Sequence, residues 1–346
     1  MKPLVVEEVP DPSIGGPYEV VVEIAGSGVC HTDVHVWRGE AAAVLDIRPP
    51  IILGHEPSGY VKEAGDGVPE YFKPGTPVLV CSSGFCEEED EYTMRGLHQL
   101  CGKPSWPGLS ARPGAFAEYL HVPHYKYLIP ARGLEDLEAA SVLTDAGATA
   151  YRAVSKASER VYPDDYVVVV GLGGVGIFGA QIAARLLNAR VIGVDVSEEK
   201  LRFAEKAAGG LIDSLIDASQ SDPAGAVRSE TRGKGVRAVI DFVGTESTMA
   251  TYLPLLSKRG IYVIVGLGAV FGPNIPSLDM ILGEKAIVGN LWASCSDVAS
   301  VVGLARRGLI NYRGVVSRRI SIYQASEAIE ALDKGLALGR QVITSF

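Results

Sequence analysis

The chain has 346 residues, above the size at which one hydrophobic core usually suffices, so two domains are expected. A formal charge of -9 with no Lys/Arg-rich tract repels phosphate polymers and anionic lipid, which argues against nucleic-acid and membrane partners. No uninterrupted apolar run reaches about 18 residues, and MKPLVVEEVPDP is acidic where a signal peptide is basic then apolar, so a cytoplasmic protein is expected.

Five cysteines are too sparse and irregular for a secreted disulfide scaffold. Four Asn and five Gln are few, a shortage of thermolabile amides that points to a hyperthermophilic source. Such organisms are the exception to the rule against cytosolic disulfides.

In chain order, residues 18–150 carry the short runs YEVVVEIAG, GTPVLVC and AEYLHVP between Gly- and Pro-bearing turns, which predicts an irregular β domain. The first run ends in GSGVCHTDVH, residues 26–35. Thiolate and imidazole are preferred zinc ligands, and a catalytic zinc takes three protein ligands and keeps one open position. Cys30 and His31 are adjacent and hardly reach one ion together, so partners must come from elsewhere: His55 beside Glu56 in ILGHEPSG, and Asp145 in LTDAGATAYRAV. Spacing alone makes no zinc signature here. Cys30 taken alone reads more readily as an inert core residue, and Thr32 and His35 equally as a capping hydroxyl and a surface imidazole.

From Tyr166 the texture changes to strand, helix, strand, helix, which implies a parallel sheet. VVVV leads into GLGGVG: Gly171, Leu172, Gly173, Gly174, Val175 and Gly176. Gly171, Gly173 and Gly176 follow a strand and open a helix, the context in which this pattern binds a dinucleotide pyrophosphate. Asp195 ends the next strand, where a carboxylate accepts from the adenosine ribose and favours NAD. Ser197, Lys200 and Arg202 leave NADP open. The alternation continues through VRAVIDFVG, STMATYLPLLS and RGIYVIVGLG to about Asn290. The remainder has the helical patterns LARRGLI and ASEAIEALDKGLA and a final strand, QVITSF.

Cys30 to His35, Gly54-His55-Glu56, residues 144–154, GLGGVG and the C-terminal GRQVI together resemble the zinc-dependent medium-chain alcohol dehydrogenases, archaeal type, over nearly the whole chain. The resemblance implies an α/β protein: a GroES-like β-rich catalytic domain (1–147 and 291–346) and a Rossmann doubly wound coenzyme domain (148–290). It implies an NAD(P)-dependent enzyme moving hydride between an alcohol, secondary by preference, and the coenzyme. One catalytic zinc would stabilise the alkoxide, and carbonyl reduction would be the reverse.

Position by position, Cys30, His55 and Asp145 match the zinc ligands. Asp145 stands where many members have cysteine, and oxygen for sulfur weakens the hold on zinc. Glu56 matches a glutamate that approaches the metal, and Asp33 the carboxylate that orients the zinc histidine. Thr32 matches the hydroxyl beside the substrate oxygen, and His35 the outer end of a proton relay. His31 replaces a cationic residue near the coenzyme phosphates. Thr149 matches a nicotinamide contact, Lys200 the lysine at the adenosine ribose, and Arg340 the arginine at the pyrophosphate. The backbone of Gly266, Leu267 and Gly268 matches the holder of the carboxamide. A homodimer or homotetramer acting on a small alcohol or ketone is implied.

The pattern breaks at a lobe that holds a structural zinc in many members. Its four positions are here Glu87, Asp90, Thr93 and Cys101, so no structural zinc is expected, and a Cys86–Cys101 disulfide is the alternative staple. Members also begin with a further strand, so the edge of the first domain is expected to be trimmed or to continue upstream. Trp106 and Trp292 read as walls for an apolar substrate or as packing residues. A polyol or sugar dehydrogenase of the same superfamily, and a dinucleotide-binding protein without turnover, are the rival readings.

Overall fold

In the computed structural model, which describes residues 4–40, 47, 49–220, 222–268 and 275–346, the first valine-rich run is strand β1 (Val20–Val29), buried along most of its length. It passes directly into helix α1 (His31–Arg38), whose Cys30 N-cap N–H donates to Asp33 Oδ2 at 2.9 Å. That bond satisfies a donor the helix start leaves unmet and fixes Asp33. Strands β2 (Glu56–Ala64), β3 (Pro77–Val80), β4 (Tyr119–Val122) and β5 (Leu128–Pro130) follow, then the short helix α2 (Leu137–Ala140). β1 pairs antiparallel with β2 and β4, and β3 with β2 and β5. The alternating inward residues Val20, Val22, Ile24, Val78 and Val80 close on Phe72, Phe85 and Leu120 as one core.

After helix α3 (Ala146–Ala157) come β6 (Tyr166–Val170), α4 (Gly174–Leu186), β7 (Arg190–Asp195), α5 (Glu198–Ala208), β8 (Ser214–Asp217), α6 (Pro223–Glu230), β9 (Val236–Asp241), α7 (Glu246–Tyr252), β10 (Leu256–Ile264), α8 (Ser277–Gly283) and β11 (Ala286–Gly289). Among the described residues these strands make a six-stranded sheet in the order β11-β10-β9-β6-β7-β8, parallel throughout. A parallel sheet is covered on both faces, so its strands read as unbroken apolar runs such as VVVV. The order reverses at β6 and β9, and ligands bind in such sheets at the carboxyl ends of the strands where it does so.

Helices α9 (Cys295–Arg306) and α10 (Tyr312–Val315), strand β12 (Val316–Ser321), helix α11 (Ala325–Asp333) and strand β13 (Arg340–Ser345) complete the chain. β13 joins β1 antiparallel and β12 parallel, giving the first sheet seven strands among the described residues. Two compact units result: Met1–Ala148 with Trp292–Arg307 and Val316–Phe346, and Thr149–Leu291 with Gly308–Val315. The last piece differs from the sequence reading, which gave all of 291–346 to the catalytic domain. Asn311 explains it: its N–H donates to Gln181 Oε1 and its Nδ2 to the Ala207 carbonyl, fastening α10 to α4 and α5.

Candidate functional site

The register of the first sheet assembles a cluster of polar side chains inside one unit. Cys30 stands at the β1–α1 junction, and His55 and Glu56 lie at the start of β2 after Gly54, whose φ of 95° suits glycine. Asp145 precedes α3, and Arg340 opens β13. One ligand atom each from Cys30, His55, Glu56 and Asp145 lies within 4.8 Å of the others, and all four residues are buried. Cys30 Sγ is 3.3 Å from Asp145 Oδ2, and His55 Nε2 is 3.7 Å from the same oxygen. Asp33, fully buried, lies 3.2 Å from His55 Nδ1. A carboxylate only accepts, so Nδ1 carries the proton and Nε2 is left for a metal.

Sequence reasoning missed Gly28. It pairs with Glu56 across β1 and β2, and a Cβ there would lie 1.9 Å from Glu56 Oε2. Glu56 Oε2 has no hydrogen-bond partner among the described residues. A buried carboxylate oxygen left in this state is costly unless a cation or proton meets it.

Burial, then the nearby Asp145 and Cys30 charges, push Glu56 well above the usual carboxylate range although Arg340 opposes the shift. Burial also works against ionised Asp145, but His55 and then Arg340 outweigh it and hold Asp145 well below that range. For His55, burial favours the neutral ring; the Asp33 charge, followed by bonds to Asp145, Asp33 and Cys30, raises its pKa well above the usual imidazole value. Asp145 is thus held toward its ionised form and Glu56 toward its protonated one.

Arg340, which the resemblance matches to the arginine at the coenzyme pyrophosphate, lies against this cluster. It is 4% exposed, and its Nη2 donates to Glu56 Oε1 at 2.5 Å, Asp145 Oδ2 at 3.1 Å and Cys30 Sγ at 3.5 Å. Nothing in the sequence marks it for this place, because the contact depends on β13 pairing beside β1.

Thr32 Oγ1 is 3.6 Å from Cys30 Sγ, while His35 Nδ1 meets Glu40 Oε2 at 2.8 Å on the exposed side of α1. His31 packs edge-on against His35, and burial, then His35 itself, lowers its pKa. Trp292 packs edge-on to His55 at 5.4 Å and to Trp106 at 5.8 Å, making an apolar wall beside the cluster. That wall is anchored by a disulfide the sequence did not disclose, Cys81–Cys295, and by Ser83 Oγ donating to the Ala293 carbonyl at 2.6 Å.

In the second unit, Gly171 turns the chain with φ 84° at the end of β6, and a Cβ on Gly176 would lie 1.8 Å from the Gly171 carbonyl. At Gly173, the N-cap of α4, a Cβ would meet nothing within 4 Å, and no side chain caps the helix. The sheet thus presents a helix start with open space before its N–H groups, which fits a pyrophosphate. Asp195, buried at the end of β7, accepts from the Leu172 N–H at 2.8 Å and the Ser197 N–H at 3.0 Å, tying the loop to the neighbouring strand. Gly266 and Gly268 pack against the Val243–Gly244 backbone so closely that a Cβ on either would fall within 2.6 Å of it. Leu267 between them is exposed, Thr149 is buried, and Lys200 lies in the first turn of α5.

In the lobe, Cys86 and Cys101 form a disulfide, as the sequence allowed. Asp90 accepts from the N–H groups of Tyr92, Thr93 and Gly102, so it acts as a hub for the loop.

Residues 16–133 match the alcohol dehydrogenase GroES-like domain, and residues 174–307 match zinc-binding dehydrogenase. The chain is 40% identical to an NAD-dependent alcohol dehydrogenase of Sulfurisphaera tokodaii, over 99% of this chain and 96% of that one. It is 31% identical to the D-arabinose 1-dehydrogenase (NADP(+)) of Saccharolobus solfataricus, over 99% and 95%. Among solved structures it is similar to the alcohol dehydrogenase of the hyperthermophilic archaeon Aeropyrum pernix, with a TM-score of 0.88, 35% identity and coverage of 99% and 97%. With both domain types matched and relatives aligned nearly end to end, the chain belongs to the zinc-dependent medium-chain alcohol dehydrogenases, enzymes of alcohol and carbonyl oxidoreduction.

Proposed function

We propose that the enzyme oxidises a secondary alcohol to its ketone with NAD, and reduces the ketone in reverse, using one zinc ion held by Cys30, His55 and Asp145. The observation that carries this reading is the convergence of a thiol, an imidazole and two carboxylates, all buried, within 4.8 Å of one another. That donor set suits zinc, and the partnerless Glu56 Oε2 marks a place where positive charge is wanted. When bound, zinc supplies Lewis acidity to the alcohol or carbonyl oxygen, and NAD supplies the hydride acceptor.

The chain's own residues supply the rest. Asp33 fixes the His55 tautomer and ring. Thr32 holds the substrate proton at Oγ1, and His35 with Glu40 passes it toward solvent. Trp106 and Trp292 exclude water and favour an apolar substrate. The α4 N-terminus with Gly171–Gly176 takes the pyrophosphate, Asp195 and Lys200 the adenosine ribose, Gly266–Gly268 the carboxamide, and Thr149 the nicotinamide side. Asp195 favours NAD over NADP by its charge.

We assign no structural zinc, since in the lobe Cys101 is committed to Cys86. The assembly we propose is a homodimer or homotetramer, supported by Leu278, Ile281 and Leu282, each about two-thirds or more exposed on α8. The setting we propose is cytoplasmic, supported by the likeness to NAD-dependent alcohol dehydrogenases; no helix among the described residues is long and apolar enough to cross a membrane. The D-arabinose relative favours a second reading, a sugar or polyol substrate.

NAD- and NADP-linked oxidation of a panel of secondary alcohols, polyols and pentoses tests these readings, with zinc present and after chelation. Zinc-dependent turnover of secondary alcohols with NAD is expected. Turnover confined to pentoses or polyols favours the second reading, and full activity after complete zinc removal overturns the site.

A further inference from the structure

The two disulfides sit in different settings. Cys86–Cys101 closes a loop within the lobe, at sequence separation 15, whereas Cys81–Cys295 joins the residue after β3 to the first residue of α9, at separation 214. Cys295 lies three residues past Trp292, which stands edge-on to His55 and to Trp106. Trp292 has a φ of 40°, a left-handed backbone that a bulky residue keeps only where its surroundings hold it. The holding groups lie on two short segments. Ser83, two residues past Cys81, is fully buried; its Oγ donates to the Ala293 carbonyl at 2.6 Å, and its carbonyl accepts from Trp106 Nε1 at 3.2 Å. Ser294 and Asp297 form a capping box that starts α9 at Cys295. Gly84 leaves room for the bond, since a Cβ there would lie 2.7 Å from Cys295 Sγ.

We propose that the Cys81–Cys295 disulfide is a redox-controlled determinant of substrate size: closed, it fixes Trp292 as a wall of the alcohol site, and opened by a dithiol, it releases that wall and admits bulkier alcohols. The proposal rests on the buried cluster beside Trp292 being the alcohol site. Cys81 is fully buried and Cys295 half-buried, so a thiolate of the dithiol attacks Cys295 Sγ. The protein S–S bond breaks as the mixed disulfide forms, and Cys81 leaves as a thiolate. The second sulfur of the dithiol then displaces Cys295, and each protein thiolate takes up a proton. Two electrons have passed from the dithiol, now a disulfide, to the two protein thiols. Without the bond, Trp292 is free to relax from its left-handed backbone, and its ring no longer stands fixed beside His55.

The test uses the full chain with zinc and NAD, before and after treatment with dithiothreitol. Wild type is compared with Cys81→Ser/Cys295→Ser, in which the bond is permanently open, and with Cys86→Ser/Cys101→Ser, in which it is the one disulfide left to reduce. Denaturing alkylation counts thiols, tryptophan emission reports the wall without turnover, and kcat/KM is measured for 2-propanol and 1-phenylethanol. Unreduced wild type is expected to show one free thiol, Cys30, and the reduced lobe variant to show Cys30, Cys81 and Cys295. Opening the bond by either route is expected to raise the ratio of kcat/KM for 1-phenylethanol to that for 2-propanol about tenfold. Emission is expected to shift to the red, and reoxidation to reverse both changes.

A ratio within about twofold of the unreduced wild type once both thiols are free overturns the proposal, including the case in which both alcohols lose activity equally. Free Cys81 and Cys295 in the unreduced chain overturn it too. Should Cys81→Ser/Cys295→Ser not fold, reduced wild type and the reduced lobe variant decide by the same readouts. A wild type that turns over no secondary alcohol in either redox state overturns the reading of the site and this proposal with it, whereas the preceding outcomes leave the site standing, so the two failures are distinguishable.

Discussion

Gly28 and Gly173 make opposite demands on the same residue type. At Gly28 the missing side chain makes room for the Glu56 carboxylate, which a Cβ would meet at 1.9 Å; at Gly173 it leaves space open before a helix N-terminus. Gly28→Ala is therefore expected to cost about 2 kcal/mol or more of stability through overpacking. Gly173→Ala is expected to leave stability within about 0.5 kcal/mol while raising the KM for NAD about tenfold or more. Denaturant unfolding and coenzyme kinetics on the two variants check the contrast, and equal stability losses would contradict it. Asp33 acts through His55, so Asp33→Asn is expected to weaken zinc binding about 10- to 100-fold, as read by chelator competition. Cys30, His55 and Asp145 were reachable from the sequence only through family resemblance, because their spacings of 25 and 90 residues follow no local rule. Gly28 was not reachable, since its need comes from the cross-strand register with Glu56.

At the scale of elements, the β6–α4–β7 segment was legible from residues alone. Four valines, a glycine turn, an apolar helical period and a terminal Asp195 all agree on one local structure. There Asp195 braces the loop and carries the charge proposed to face the ribose. Asp195→Asn is expected to raise the ratio of kcat/KM for NADP to that for NAD about tenfold or more, and an unchanged ratio would remove its discriminating role. The lobe depends on its staple. Replacing Cys86 and Cys101 by Ser opens a disulfide of sequence separation 15, at an expected cost of about 3 kcal/mol. Thermal melting with thiol counting measures that loss. Three free thiols in the unreduced wild type, Cys30 together with Cys86 and Cys101, would show that the staple is absent. The Cys81–Cys295 bridge was invisible beforehand because its partners are 214 residues apart and meet only once α9 packs near the end of β3.

For the whole molecule, the two-domain organisation followed from length and from the change of texture near Tyr166, while the allocation of 308–315 did not. That segment is short, and two hydrogen bonds from Asn311 to α4 and α5 outweigh its chain neighbours. The proposed chemistry depends on three distant loops of one unit delivering a thiol, an imidazole and a carboxylate to one ion. Zinc per chain, determined by elemental mass spectrometry on desalted wild type and on folded Cys30→Ser, His55→Ala and Asp145→Ala variants, tests this most directly. The account predicts one zinc per chain in the wild type and its loss in parallel with activity in each variant. A full zinc complement retained by any of these variants, or an active wild type without zinc, would contradict it.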